Sequence, residues 1–180
     1  MAIARSAELI RRFDTAEANL CLSFNRWSRQ PLVRALFATV SRLGNGVFWY
    51  VLILSAPLLF GAEGLLRAVQ MALTGFAGVA LYKYLKRRFV RERPYISHLR
   101  ISAGAAPLDR YSFPSGHTLH AVCFAVLFSA YFPVLAWLVV PFAVLVAVSR
   151  VVLGLHYPTD VAVGALIGAG TALLSMGLAA

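Results

Sequence analysis

Three short constellations in this chain combine residue types that can hold an anion or move a proton. The first is the run Lys86-Arg87-Arg88-Phe89-Val90-Arg91-Glu92-Arg93-Pro94. The second is Pro114-Ser115-Gly116-His117, and the third joins Ser149-Arg150 to His156 and Asp160. Ser115 is a good helix N-cap, and Gly116 lets another group approach the backbone closely. The free N–H groups and positive dipole end of such a helix make an anion site, and His117 in the first turn would put a proton donor beside the bound anion. A plain cap with an incidental histidine fits the same residues. Pro158 suits the first turn of another helix, which places Asp160 near its third position. There Asp160 either complements the helix dipole or accepts a hydrogen bond from His156, four residues earlier. The second arrangement orients an imidazole and leaves its other nitrogen free as a nucleophile. Arg150, at the end of a long uncharged stretch, needs an anionic partner or an escape to the interface.

A metal is the obvious rival, because His117, His120 and His156 could converge on one. Asp160 is the only acid near these histidines in sequence, and the surrounding basic groups would repel a cation. No metal and no other cofactor is therefore expected.

These groups must be positioned by elements that live in lipid. Hydrophobic residues make up 60% of the chain and charged residues only 13%, about half the share of a soluble domain, and mean hydropathy is +0.75. That excludes a disordered chain, a coiled coil and an ordinary soluble enzyme. The charge is lopsided, with 17 Lys and Arg against 7 Asp and Glu. It sits in blocks separated by long apolar runs, which argues against nucleic acid as a partner. It fits juxtamembrane positive charge or a cationic pocket for an anionic substrate at the membrane surface. Cys21 and Cys123 lie in apolar surroundings and are expected to be unpaired. No short apolar core with a small-residue cleavage site marks a signal peptide near the N-terminus.

Residues 5–42 alternate basic and apolar groups, with Leu9, Ile10 and Phe13, then Leu32, Leu36, Phe37 and Val40, near helical spacing. Two interfacial helices separated by Pro31 are expected there. Val47–Phe60 and Leu65–Tyr84 are apolar, joined by a tight turn at Gly61–Gly64. Ala121–Val148 carries no charge and is too long for one relaxed span, so Pro133 is the expected break between helices over 116–131 and 134–153. Val161–Leu178, rich in Gly and Ala, suits close helix packing. The expected fold is an all-α polytopic membrane bundle of five or six spans. A single domain fills 1–180, with interfacial helices over 1–43 and a bundle over 45–178. The sixth crossing would have to lie within 20–43, against Arg26, Arg29, Arg34 and Arg42.

Taken together, the three constellations resemble the signatures of the type 2 phosphatidic acid phosphatase superfamily: Lys-x6-Arg-Pro, Pro-Ser-Gly-His and Ser-Arg-x5-His-x3-Asp. Lys86 with Arg93-Pro94, Pro114 to His117, and Ser149-Arg150 with His156 and Asp160 meet every spacing in the right order, whereas Lys83 is out of register. The resemblance covers residues 45–178 and implies an enzyme, a metal-independent lipid phosphatase. It implies His156 as the nucleophile forming a phosphohistidine, Asp160 as its orienting partner, and His117 as acid and then base. Lys86, Arg93, Ser115, Gly116 and Arg150 would hold the phosphoryl oxygens. Such a scheme needs His117 and His156 on one membrane side, which two helices hinged near Pro133 satisfy.

The small size and N-terminal helices are similar to small bacterial undecaprenyl-diphosphate phosphatases. That implies a multi-pass protein of the bacterial inner membrane, with a lipid phosphate substrate and an extracytoplasmic site. The N-terminal arginines favour the cytoplasm by the positive-inside rule. Phosphatidylglycerophosphate, phosphatidate and other polyprenyl phosphates are rival substrates. A lipid-phosphate binding or transport protein would use the same residues without turnover. Residues 95–112 are expected to form a loop over the site.

Overall fold

The computed structural model describes residues 2–179; of the first ten side chains it describes only Glu8, so those of Leu9 and Ile10 lie outside the described residues. Every regular element is a helix among the described residues. α1 (Ala2–Asn25) runs through a short 3-10 turn (Arg26–Arg29) to α2 (Pro31–Leu43), and Pro31 opens α2 at its first turn. Glu17, Cys21 and Asn25, spaced by four, put one stripe of α1 inside, while Phe13, Leu20 and Trp27 are exposed. A helix with its polar stripe inward and its aromatic and aliphatic residues outward suits a lipid boundary. The break at Arg26–Gln30 leaves no continuous helix over 20–43.

α3 (Val47–Arg88) is one element by hydrogen bonding but two arms in space. Gly61 sits at φ 60° and ψ −139°, a conformation open to glycine, and turns the chain back on itself. The arms meet so closely that a Cβ on Gly64 would lie 2.1 Å from the Ala56 carbonyl oxygen. The ends of both arms, Asn45–Trp49 and Tyr82–Lys86, consequently line one cavity.

After the short α4 (Pro94–Ser97) and an irregular loop, α5 (Gly116–Tyr131) forms the centre of the bundle, with Leu119, Leu127 and Phe128 fully buried. Pro133 ends it as expected: a 3-10 turn (Pro133–Leu135) leads into α6 (Ala136–Val152). α7 (Pro158–Leu178) lies against α5, where Cβ atoms on Gly164 and Gly168 would fall 2.6 and 2.2 Å from the carbonyl oxygens of Ser115 and Leu119. The small-residue pair lets two backbones touch, as expected from its composition. Trp49, Phe124 and Phe142 knit the first arm of α3 to α5 and α6.

Three helical stretches are long and apolar enough to cross a membrane: Val47–Arg88, Pro133–Val152 and Pro158–Leu178. Gly116–Tyr131 is apolar but shorter. Leu58, Leu73, Phe76, Trp137, Leu166 and Leu174 stand exposed around this bundle. In water they would form an apolar patch of a size that monomers avoid; in a bilayer they face their natural solvent.

Candidate active site

The up-and-down path of α5 and α6 returns the chain to the end where it started, bringing His117 at the head of α5 and His156 after α6 to the same cavity. Its volume is about 450 Å³. Lys86, Arg93, Gly116, His117 and His156 line it at one end, and Trp49, Ile53, Leu54, Ala72, Phe76 and Val79 line it between the arms of α3.

Arg93 is 1% exposed and nearly saturated. Its Nε donates to the Asp109 carbonyl at 3.0 Å, Nη1 to the Leu155 carbonyl at 2.7 Å, and Nη2 to Asp109 Oδ1 at 2.7 Å. Nη1 also stands 3.2 Å from His156 Nε2. A guanidinium only donates, so Nε2 carries the lone pair and the ring proton sits on Nδ1. Burial holds the His156 imidazole well below its ordinary pKa, and the nearby Arg150, Arg93 and Lys86 reinforce this. The result is a neutral imidazole at the cavity wall, its Nε2 lone pair held by Arg93.

Behind it, Nδ1 lies 3.6 Å from Asp160 Oδ2, an ion-pair separation longer than a hydrogen bond. The expected His156–Asp160 hydrogen bond is thus not formed. Oδ2 instead accepts from the Tyr157 backbone N–H at 2.8 Å, capping α7, and Oδ1 accepts from Arg91 Nη1 at 2.8 Å. The next partner comes from far away: Arg91 Nη2 meets Glu17 Oε2 of α1 at 2.5 Å, and Glu17 Oε1 accepts from the Thr159 backbone N–H at 2.8 Å. Arg91 also stacks over the Tyr157 ring at 4.0 Å. The interfacial helix is thereby tied to the carboxylate behind His156.

Across the cavity, His117 Nε2 donates to Asn45 Oδ1, a residue of the α2–α3 turn. Lys86 donates to Asp109 Oδ1 at 2.7 Å and to the Tyr111 carbonyl at 2.8 Å. A Cβ on Gly116 would lie 3.3 Å from the Tyr82 ring, so the backbone here packs closely against that ring. Two of the expected residues stand behind the cavity wall. Ser115 caps α5, its Oγ accepting from the Thr118 N–H, and Arg150 is 2% exposed. Arg150 Nη1 donates to Ser41 Oγ of α2, and Nε has no partner. Both cysteines are free and buried.

Sequence reasoning missed Glu17, Ser41, Asn45, Arg91 and Asp109. Glu17 had a signal, an acid spaced by four from Cys21 and Asn25 on one helical face. Arg91 lay inside the first constellation but off its spacing. Nothing local marked Asp109 or Asn45.

A helical bundle with cations and two histidines at one end of an apolar cavity is a membrane protein with an anion pocket. The chain belongs to the PAP2 superfamily, whose family model matches residues 64–179. It is 31% identical to undecaprenyl-diphosphatase BcrC of Bacillus subtilis over 66% of this chain and 61% of that one, so it spans less than two thirds of that relative. It is 31% identical to phosphatidylglycerophosphatase B of the same organism over 78% of this chain and 72% of that one. The crystal structure of Aquifex aeolicus LpxE superposes with a TM-score of 0.76 at 29% identity, covering 88% of this chain and 93% of that one.

Proposed function

We propose that the chain is a metal-independent lipid phosphatase that works through a phosphohistidine, with undecaprenyl diphosphate as substrate and undecaprenyl phosphate as product. One observation carries this reading: the neutral His156, its Nε2 lone pair held by Arg93, lines a cavity that is cationic at one end and apolar along the α3 arms, where an incoming phosphate can take Arg93 over and free the lone pair. Nε2 forms a bond to phosphorus while the bond to the leaving oxygen breaks, and His117 gives its Nε2 proton to that oxygen. Water then attacks the phosphohistidine, passing a proton to His117 as the P–N bond breaks. Lys86, Arg93 and Arg150, with the Gly116 backbone N–H and the Ser115-capped start of α5, stabilise the equatorial oxygens. Asp160, 3.6 Å from Nδ1, balances the charge the ring gains.

Kinship with BcrC supports the diphosphate; the longer match to phosphatidylglycerophosphatase B supports a glycerolipid monophosphate as the second reading. Phosphate release by purified protein in detergent with EDTA, from equimolar undecaprenyl diphosphate, phosphatidylglycerophosphate and phosphatidate, separates them. Preference for the diphosphate is expected. His156→Ala should abolish release while lipid still binds; no release by the wild type would leave only a binding protein.

The reading takes both arms of α3 as crossings, five in all, with the site on the extracytoplasmic face of a bacterial inner membrane. Cys21 and Cys123 are 0% and 2% exposed, so the wild type offers little thiol background. Leu99 is fully exposed in the loop beside the site. Leu99→Cys should react with a membrane-impermeant maleimide on intact cells; labelling only after lysis would move the site to the cytoplasm.

A further inference from the structure

Asp109 is the one acid that lines the cavity, and it lies where an incoming phosphate would need donors. Its Oδ1 is shared by Lys86 Nζ and Arg93 Nη2, each at 2.7 Å. Burial alone would raise its carboxyl pKa, but Lys86 and Arg93 outweigh this and hold it below the ordinary carboxylate range, so it is a full charge at neutral pH. The rest of both cation heads is anchored on main chain. Lys86 holds the Tyr111 carbonyl, and Arg93 holds those of Leu155 and Asp109. Counting donors, Lys86 and Arg93 Nη2 each keep only one N–H free while the carboxylate stays. The main-chain anchors keep the heads aimed; the carboxylate is the exchangeable partner.

Resting on the phosphatase reading, we infer that Asp109 sets the affinity threshold of the site: it is an internal carboxylate that any anion must displace from Lys86 and Arg93 before it can occupy the pocket. Displacement costs every anion the same free energy, so it sets a threshold. A terminal phosphate carries a charge of about −1.5 to −2 and three free oxygens, and clears it. A phosphodiester head group carries one charge on two free oxygens and falls below it. The surrounding membrane is made largely of such diesters at high local concentration, and a bare cationic pocket would be filled by them. Asp109 lies in the loop between α4 and α5 and is itself half-exposed, so it can leave without unpacking the bundle.

The test is Asp109→Asn, which keeps the shape and removes the charge, with Asp109→Glu as the conservative control. Inorganic phosphate is titrated into each protein in detergent by calorimetry, and inhibition of lipid turnover is measured with phosphatidylglycerol added to the micelles. In Asp109→Asn the phosphate dissociation constant and the KM for lipid phosphate should both fall about tenfold, the scale of one charge-assisted contact. Phosphatidylglycerol should become an inhibitor, and Asp109→Glu should behave like the wild type. Weaker or unchanged phosphate binding in Asp109→Asn would overturn the inference and make the residue a mere brace for Arg93. If the Asn variant loses its helical circular dichroism, Asp109→Ser reads the same constants. A wild type that binds phosphate but releases none from any lipid breaks the phosphatase reading instead, and the titration still decides whether Asp109 competes.

Discussion

The two arginines of the pocket are held in opposite ways. On the wall built by residues 91–113, Arg93 is compensated: a carboxylate, two main-chain carbonyls and an imidazole lone pair surround it. Behind the cavity wall, on α6, Arg150 has one serine hydroxyl and an Nε with no partner, equally deep in the protein. A buried charge without a counterion is costly, and the bundle offers Arg150 none. The difference separates two jobs. In the proposed mechanism Arg93 is pre-set by the fold and traded from one anion to another, whereas Arg150 takes up the charge that the substrate brings.

Replacing each arginine by methionine, which keeps bulk and removes charge, is the strongest way to break this contrast. Arg150→Met should lose about a thousandfold in kcat/KM, the upper range for removing one donor to a developing charge, yet melt a few degrees higher because a strained charge is gone. Arg93→Met should lose comparable activity but melt lower, since it strands the main-chain carbonyls of Asp109 and Leu155 at about 1–3 kcal/mol for each unpaired group. Thermal melts of both variants decide it: two shifts of the same sign would erase the distinction.

Arg91 sharpens the comparison, being a third arginine paired on both sides, to Glu17 and Asp160. If pairing marks a positioning role, Glu17→Gln should lower kcat by about ten- to a hundredfold, as for other partners that orient a reacting group, with KM within about twofold. Steady-state kinetics on the lipid substrate provide the split, and a rise in KM with normal kcat would move Glu17 to substrate binding.

The smallest effect is in pH dependence. His156 is held neutral by burial and then by Arg150 and Arg93, so protonation of the nucleophile should cut kcat/KM only well below pH 6.5. Stability has the same sign. The unfolded chain takes up a proton on His156 near 6.5 that the folded chain refuses, so this contribution is whole above that pH and is lost as pH falls below it. An acid limb at or above 6.5 would mean that the cations do not reach the ring.

Much of the bundle was legible because lipid imposes a simple grammar. Uncharged runs must be helices, Pro133 must break one, and Gly61 with Gly64 must turn another. The three constellations were legible for a related reason: charge beside apolar spans is expensive, so Lys86, Arg93, Arg150, His117, His156 and Asp160 stood out. Local sequence could not say which of these would share a counterion. Asp109 meets Lys86 and Arg93 through an irregular loop, Asn45 meets His117 through a turn between helices, and Glu17 and Asp160, far apart in sequence, share Arg91. Helical spacing and cost in lipid are properties of neighbours along the chain, and the residue types alone determined those. Which charges are compensated, and which is left without a counterion, depends on distances of about 3 Å between segments far apart in sequence, and only the packing of α1, α2, α6 and the 91–113 loop against one another decided that.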